Sequence, residues 1–380
     1  MIIPNKKRNV GLDIARTCAI LLVLFSHTLW ISDNYPKPIA TLMQMSGTIG
    51  VEVFFVISGF LIARIILRDI TKPNYGFKHL KTFILRRWVR TFPAYYLILL
   101  LNVLIWYCIY NTMPKALYKY FIFIQNFCEP SPAFYRISWS LSVEQFSYII
   151  IPLILFVLIA KFKTINRRRL FFYVTLLTVI IFTIPKLHFY LTRELKDISD
   201  WNENIRKVLI NRLDAVYLGF LFRYLYDYAE SWFNRYRRLC FLVGLSIIII
   251  LHVFRGFLGL TVADMPFFMI LIYLPLNSIS VCLLLPYLMK VKISSKRIAN
   301  FFMTISLLSY SIYLLHYSII LHLLKVFVPS ENLLSAELWL YTFLYWGLTF
   351  GSAYIFYNFY ELPLTKMRDH KRFKAFFNIH

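Results

Sequence analysis

Apolar residues fill long runs along this chain, separated by short polar and basic segments. The runs lie near residues 11–31, 46–68, 90–110, 141–160, 169–187, 208–226, 238–254, 267–289, 301–325 and 337–360. A helix of about 20 apolar residues is what crosses a hydrocarbon core, and it satisfies its backbone internally where water cannot. The pattern predicts an all-α, polytopic integral membrane protein of about ten transmembrane helices. An even number of crossings puts both termini on one side. No internal repeat, low-complexity tract or loop long enough for a soluble domain interrupts the runs, so residues 1–380 form one membrane domain.

Composition points the same way. Hydrophobic residues make up 59% of the chain and charged residues 16%, with a mean hydropathy of +0.62. A soluble domain carries about 25% charged residues. The net charge of +24, from 42 Lys and Arg against 18 Asp and Glu, would by itself suggest nucleic acid. Here the bases sit in short clusters between apolar runs, and no soluble segment offers a face to display them. No nucleic-acid partner is expected; membrane lipids are.

The clusters fix an orientation instead. Segments on the N-terminal side hold Lys6, Lys7 and Arg8, seven bases from Arg68 to Arg90, and five from Lys161 to Arg169. Four more follow from Arg223 to Arg238, four from Lys290 to Arg297 and five from Lys366 to Lys374, 28 in all against 11 in the opposite loops. The eleven include Lys186, Arg206, Lys207 and Arg255. This positive-inside bias predicts cytoplasmic termini in the inner (plasma) membrane. The longest external segments, 111–140 and 186–207, are then candidate acceptor-facing caps. Cys18, Cys108, Cys128, Cys240 and Cys282 show no paired spacing, so neither a disulfide framework nor a metal site is expected. The first apolar run lacks a small-residue cleavage site, and no cleavable signal peptide is expected.

A charged side chain at mid-membrane costs about 2.5–3.5 kcal/mol, so each one needs a reason. In the first run Asp13 and Arg16 are three apart and share a face. Arg16 and His27 fall only ~20° apart around the helix and ~16.5 Å along it. One stripe thus carries an acid–base pair and, deeper, an imidazole. Either Arg16 snorkels and His27 is structural, or the stripe is functional. In the second run Gly47, Gly50 and Gly59 suit close helix packing, and Glu52 lies near the external end, where it can reach water. Arg86, Arg87 and Arg90 cluster on one helical face; forked guanidiniums there suit phosphates, of lipid headgroups or of a nucleotide. The fourth run opens Ser138-Trp139-Ser140-Leu141-Ser142-Val143-Glu144-Gln145-Phe146, with Trp139 as an interface anchor and Glu144 one turn inside. Arg212, Asp214, His316, His322 and Glu361 complete the intramembrane set; Asp214 and Glu361 read best as internal partners.

These blocks, in this order, resemble the bacterial acyltransferase-3 family of integral-membrane O-acyltransferases. Asp13-Ile14-Ala15-Arg16 with His27 is similar to its first-helix motif, and Phe54-Phe55-Val56-Ile57-Ser58-Gly59-Phe60-Leu61 to its second block. Arg86-Arg87-Trp88-Val89-Arg90-Thr91-Phe92-Pro93 resembles its arginine block, and Ser138 to Phe146 its Trp-Ser-Leu-x-x-Glu block. Ser309-Tyr310-Ser311-Ile312-Tyr313-Leu314-Leu315-His316 and Tyr360-Glu361-Leu362-Pro363 are similar to the C-terminal blocks. The likeness runs from Gly11 to about Arg368. Ile14-Ala15 departs from the Gly-Leu of many relatives, an apolar exchange. Some relatives add a C-terminal SGNH hydrolase-like domain; about a dozen residues follow Arg368 here, as in the stand-alone form.

The resemblance implies an O-acyltransferase, acetyl being the commonest group, with His27 as the catalytic base. Acyl transfer from a thioester to a sugar hydroxyl needs a base, a stabilised oxyanion and a holder for the donor's charged head. Glu144 is the candidate to orient His27 or bind acceptor hydroxyls. Asp13 and Arg16 join the catalytic stripe, and Arg16, Arg86, Arg87 and Arg90 would meet cytoplasmic acyl-CoA, a co-substrate and not a resident cofactor. Ser58 and Asn126 are candidate oxyanion donors, and Trp139 a candidate acceptor contact. The expected acceptor is a cell-surface polysaccharide, a lipopolysaccharide sugar or a lipid-linked glycan. The competing reading is a transporter or flippase for a glycan or lipid-linked intermediate, which also uses intramembrane charges. A purely structural scaffold would leave the His27 register unexplained.

Overall fold

A computed structural model describes residues 8–254, 262–330 and 333–369. Lys6, Lys7, Arg255, Lys371, Arg372 and Lys374, counted above among the loop bases, lie outside the described residues. Among those described, every regular element is helical. Seven helices are long and apolar enough to cross a membrane: Val10–Thr28, Lys37–Ile70, Phe77–Tyr110, Arg136–Lys161, Arg167–Thr192, Phe268–Leu288 and Lys296–Phe327. The three other apolar runs are helical too. The run near 208–226 forms Leu213–Tyr228, only 16 residues long. That near 238–254 forms Arg237–Ile249 and a π-helical turn, Ile250–Phe254. The last forms Ser335–Phe356, 22 residues rich in Trp and Tyr. Large apolar side chains such as Leu177, Leu239, Phe343 and Phe359 stand exposed on these helices, as lipid-solvated positions must in a multi-pass membrane protein.

Local chemistry sets the helix ends. Asn9, Asn166 and Ser295 each accept a backbone N–H from the first turn of the helix that follows, satisfying donors the helix itself cannot. Pro185 sits in the first turn of Ile184–Thr192, where its missing N–H does no harm, and the helix begun at Arg167 pauses there. The segment 111–140 turns through Asn111, Ala116, Phe123 and Tyr135, all at positive φ.

The chain divides into two compact units. The first comprises residues 1–51, 86–117 and 288–380; the second comprises 52–85 and 118–287. In the first unit, Val10–Thr28 lies along Lys296–Leu315, tied by Thr17 Oγ1 donating to the Phe302 carbonyl at 2.9 Å. Gly50 packs against the same first helix: a Cβ there would stand 2.7 Å from the Ala19 carbonyl. A core of Leu24, Ile31, Tyr35, Met43, Leu321 and Tyr345 closes one end. Trp346 Nε1 donates to Thr28 Oγ1 at 2.9 Å across it.

In the second unit, Gly59 and Gly219 meet at a backbone crossing. A Cβ on Gly59 would collide with the Val216 carbonyl, and one on Gly219 would stand 2.5 Å from the Val56 carbonyl. The glycines thus act in packing, as small residues do between membrane helices. Two expectations need correction here. Glu52 does not reach water: it is 1% exposed, paired with Arg212 and accepting from Ser278 Oγ at 2.7 Å. Lys186 is no external loop base: it is fully buried, with its ammonium 2.6 Å from Asp214. A cationic side chain leaves water in this way when a carboxylate is placed to meet it. Asp214 is an internal partner, as its sequence setting suggested.

Candidate functional site

The intramembrane histidine stripe lies in the first unit. His27 is half-buried, and its Nδ1 lies 3.0 Å from the Val23 carbonyl and 3.0 Å from Nε2 of His316. A carbonyl oxygen only accepts, so Nδ1 of His27 bears the hydrogen and the neutral ring has its lone pair on Nε2. Tyr317 adds a tilted ring 5.1 Å from the imidazole of His27. His316 and Tyr317 are consecutive and both reach His27, at the point where the α-helix gives way to a π-helical segment, His316–Leu321. Wider turns of this kind recur at functional sites.

About four turns toward the start of the same helix, Asp13 is 2% exposed and gathers cations. Arg16 Nη1 lies 3.7 Å from Asp13 Oδ1, the pair its spacing predicted. The closer partner is Arg8, whose Nε donates to Oδ2 at 3.1 Å while its Nη2 bonds Oδ1. Ser306 Oγ donates to Asp13 at 2.8 Å. Arg90 is exposed, with Arg86 and Arg87 half-buried. Arg90 lies within electrostatic reach of Glu361, and with Arg8 within reach of Tyr357. Glu361 is an internal partner, accepting from Ser311 Oγ at 2.6 Å. Arginines from two separate sequence blocks therefore gather in this part of the unit, around two carboxylates that leave the cluster net positive.

The second unit holds the remaining predicted residues. Glu144 Oε1 accepts from Ser58 Oγ at 3.2 Å and from Tyr148 Oη. Ser58 and Glu144 come from different helices and lie 86 residues apart. Tyr148 is the residue one turn beyond Glu144. Asn126 is fully buried, and its amide nitrogen donates to the Trp139 carbonyl at 3.1 Å and the Lys207 carbonyl at 2.8 Å. Its N–H groups hold loop to helix. Trp139 is buried, not an interface anchor: it meets Phe55 edge-on at 5.9 Å and lies under Arg206 at 5.4 Å. A cation over the indole face is favourable in a desolvated setting, and the contact suits the inward-turned ring. Burial holds the Lys207 ammonium below its usual range, opposed by the Glu203 carboxylate 2.6 Å away.

Spacing along one helix found Arg16 with Asp13. It did not find Arg8 or Ser306 beside Asp13, nor His316 beside His27, because Arg8 precedes the helix and the other two contacts join residues nearly 300 apart. Tyr148 alone had a usable signal, its place four residues after Glu144. Chemically, the first unit offers an imidazole with a defined basic nitrogen and a guanidinium cluster. The second offers a carboxylate flanked by two hydroxyls.

Comparison with known proteins identifies the family. The family described as "Acyltransferase domain" matches residues 9–358. An uncharacterized protein of Haemophilus influenzae is 31% identical over 141 residues, 33% of this chain and 55% of the relative. The putative peptidoglycan O-acetyltransferase YrhL of Bacillus subtilis is 30% identical over 190 residues, 44% of this chain and 27% of the relative. The peptidoglycan O-acetyltransferase OatA of Listeria monocytogenes is 28% identical over 178 residues, 42% and 26% respectively. The matches thus span from about a quarter to about half the length of these relatives. No solved structure matches.

Proposed function

The chain belongs to the acyltransferase domain family, and from that premise we propose that it is a membrane O-acyltransferase. It moves an acyl group, acetyl in the first instance, from cytoplasmic acyl-CoA to a hydroxyl of a cell-surface or lipid-linked carbohydrate. The observation that carries this reading is the placement of His27 Nδ1, 3.0 Å from the Val23 carbonyl, from which its tautomer is assigned. With Nδ1–H directed at the Val23 carbonyl, Nε2 is the nitrogen able to take a proton.

The acceptor hydroxyl attacks the thioester carbonyl as Nε2 of His27 withdraws its proton. The tetrahedral intermediate collapses, the carbon–sulfur bond breaks, and the imidazolium returns the proton to the thiolate. Arg16, Arg86, Arg87 and Arg90 hold the phosphates of the donor, since guanidinium forks match phosphate oxygens. Glu144, with Ser58 and Tyr148, binds acceptor hydroxyls; His27 already has partners at Nδ1 in its own unit, which favours this of the two roles open to Glu144. Asn126 takes no part, because its amide nitrogen is engaged by two carbonyls. The basic bias of alternate loops supports an inner-membrane location with cytoplasmic termini.

The test is mass spectrometry of envelope glycans from cells with and without the gene. We expect an acyl mass to vanish on deletion and to return with the wild-type chain but not with His27→Ala at equal membrane level. Restoration by His27→Ala would remove the base. Unchanged glycans, together with altered glycan flux, would instead indicate a transporter.

A further inference from the structure

We propose that His316 is a positioning residue that fixes the tautomer and orientation of His27; this rests on the reading of His27 as the base. Three contacts place the hydrogens of the two rings. Nδ1 of His316 lies 2.9 Å from the Ile312 carbonyl and 2.8 Å from the Tyr313 carbonyl. Both oxygens only accept, so this nitrogen bears a hydrogen. Nε2 of His316 and Nδ1 of His27 stand 3.0 Å apart, a distance that holds one hydrogen between two nitrogens. Since Nδ1 of His27 also faces the Val23 carbonyl, that hydrogen belongs to His27, which shares it between the carbonyl and Nε2 of His316, a neutral ring that accepts.

The result is a directed relay: backbone carbonyls orient His316, and His316 orients His27. When His27 takes the hydroxyl proton, its Nδ1–H keeps an acceptor aimed at it, so the imidazolium forms without reorganisation. In hydrolytic triads a carboxylate fills this place. A neutral imidazole does so here without adding a second charge to an apolar interior, where an ion costs far more than a dipole. His316 is fully buried whereas His27 is half-buried, so only His27 presents itself to a substrate. His316 caps the α-helix Lys296–Leu315, its own N–H bonding the Ile312 carbonyl, so that helix supplies the register.

Two near-isosteric variants separate positioning from packing. The side-chain oxygen of His316→Gln can stand where Nε2 stands and accept from His27. The amide of His316→Asn can stand where Nδ1 stands, bonding the two carbonyls but withdrawing from His27. Membranes carrying each variant would be given radiolabelled acetyl-CoA, and incorporation into endogenous glycan followed for rate and KM. We expect His316→Asn to lower the maximal rate about 100-fold, within the range of general acid–base contributions, with KM for acetyl-CoA unchanged. His316→Gln should stay within about tenfold of wild type. Thermal unfolding of each purified variant is measured alongside. Equal losses in the two variants, or a better rate in His316→Asn, would overturn the proposal in favour of packing. An inactive His27→Ala beside an active His316→Asn would overturn the relay alone. An active His27→Ala would overturn the base on which both depend.

Discussion

Lys186 and Asp214, 28 residues apart in sequence, form an ion pair 2.6 Å long with both side chains shut off from solvent. Arg212 lies 3.8 Å from the same carboxylate and bonds Glu52, so two cations and two carboxylates balance inside the second unit. Such a network holds helices in one register but contributes little net stability, because desolvation offsets attraction.

Removing one partner should therefore hurt more than removing a pair. We expect Lys186→Met to destabilise the protein by about 3–5 kcal/mol, read as a fall in thermal unfolding temperature in detergent. The double variant Lys186→Met with Asp214→Leu should recover most of that loss, since Glu52 and Arg212 still balance. A double variant no better than the single would show that the pair acts through more than its charge.

The guanidinium cluster makes a claim about one substrate only. Neutralising Arg86, Arg87 or Arg90 to Gln should raise KM for acetyl-CoA about tenfold each, the effect of losing roughly 1.4 kcal/mol of charge-assisted binding. KM for the acceptor should hold. Titrating acetyl-CoA and acceptor separately in membranes decides it, and a selective loss of acceptor affinity would assign the cluster to the wrong substrate.

At Glu144 shape and charge can be separated. Glu144→Gln preserves an acceptor for Ser58 and Tyr148 while removing the carboxylate charge. We expect it to unfold at nearly the wild-type temperature and to lose at least about 100-fold in transfer rate. Glu144→Ala should be inactive and less stable. A Gln variant that transfers normally would make Glu144 a structural tie between Ser58 and Tyr148.

Much of this protein was determined by sequence alone, since lipid imposes a one-dimensional rule. A segment must be long and apolar enough to cross, and its backbone must bond to itself. The all-helical class, the positions of the apolar runs and the Asp13–Arg16 pair follow from that rule and from helical geometry, although two helices, Lys37–Ile70 and Phe77–Tyr110, begin well before their runs. The family blocks around His27 and Glu144 were legible for a similar reason, being contiguous. Partner choice was not. Glu52 read as a residue near water, Lys186 as a loop base and Trp139 as an interface anchor. Each proved buried, because Arg212, Asp214 and Arg206 approach from elsewhere in the chain. His316 stands 289 residues from His27, at the end of a helix whose packing against the first helix no periodicity records. Periodicity places a side chain on a face of its own helix. Only tertiary packing decides what meets that face, because the energy of a buried charge or proton depends on atoms a few ångströms away, whatever their distance in sequence.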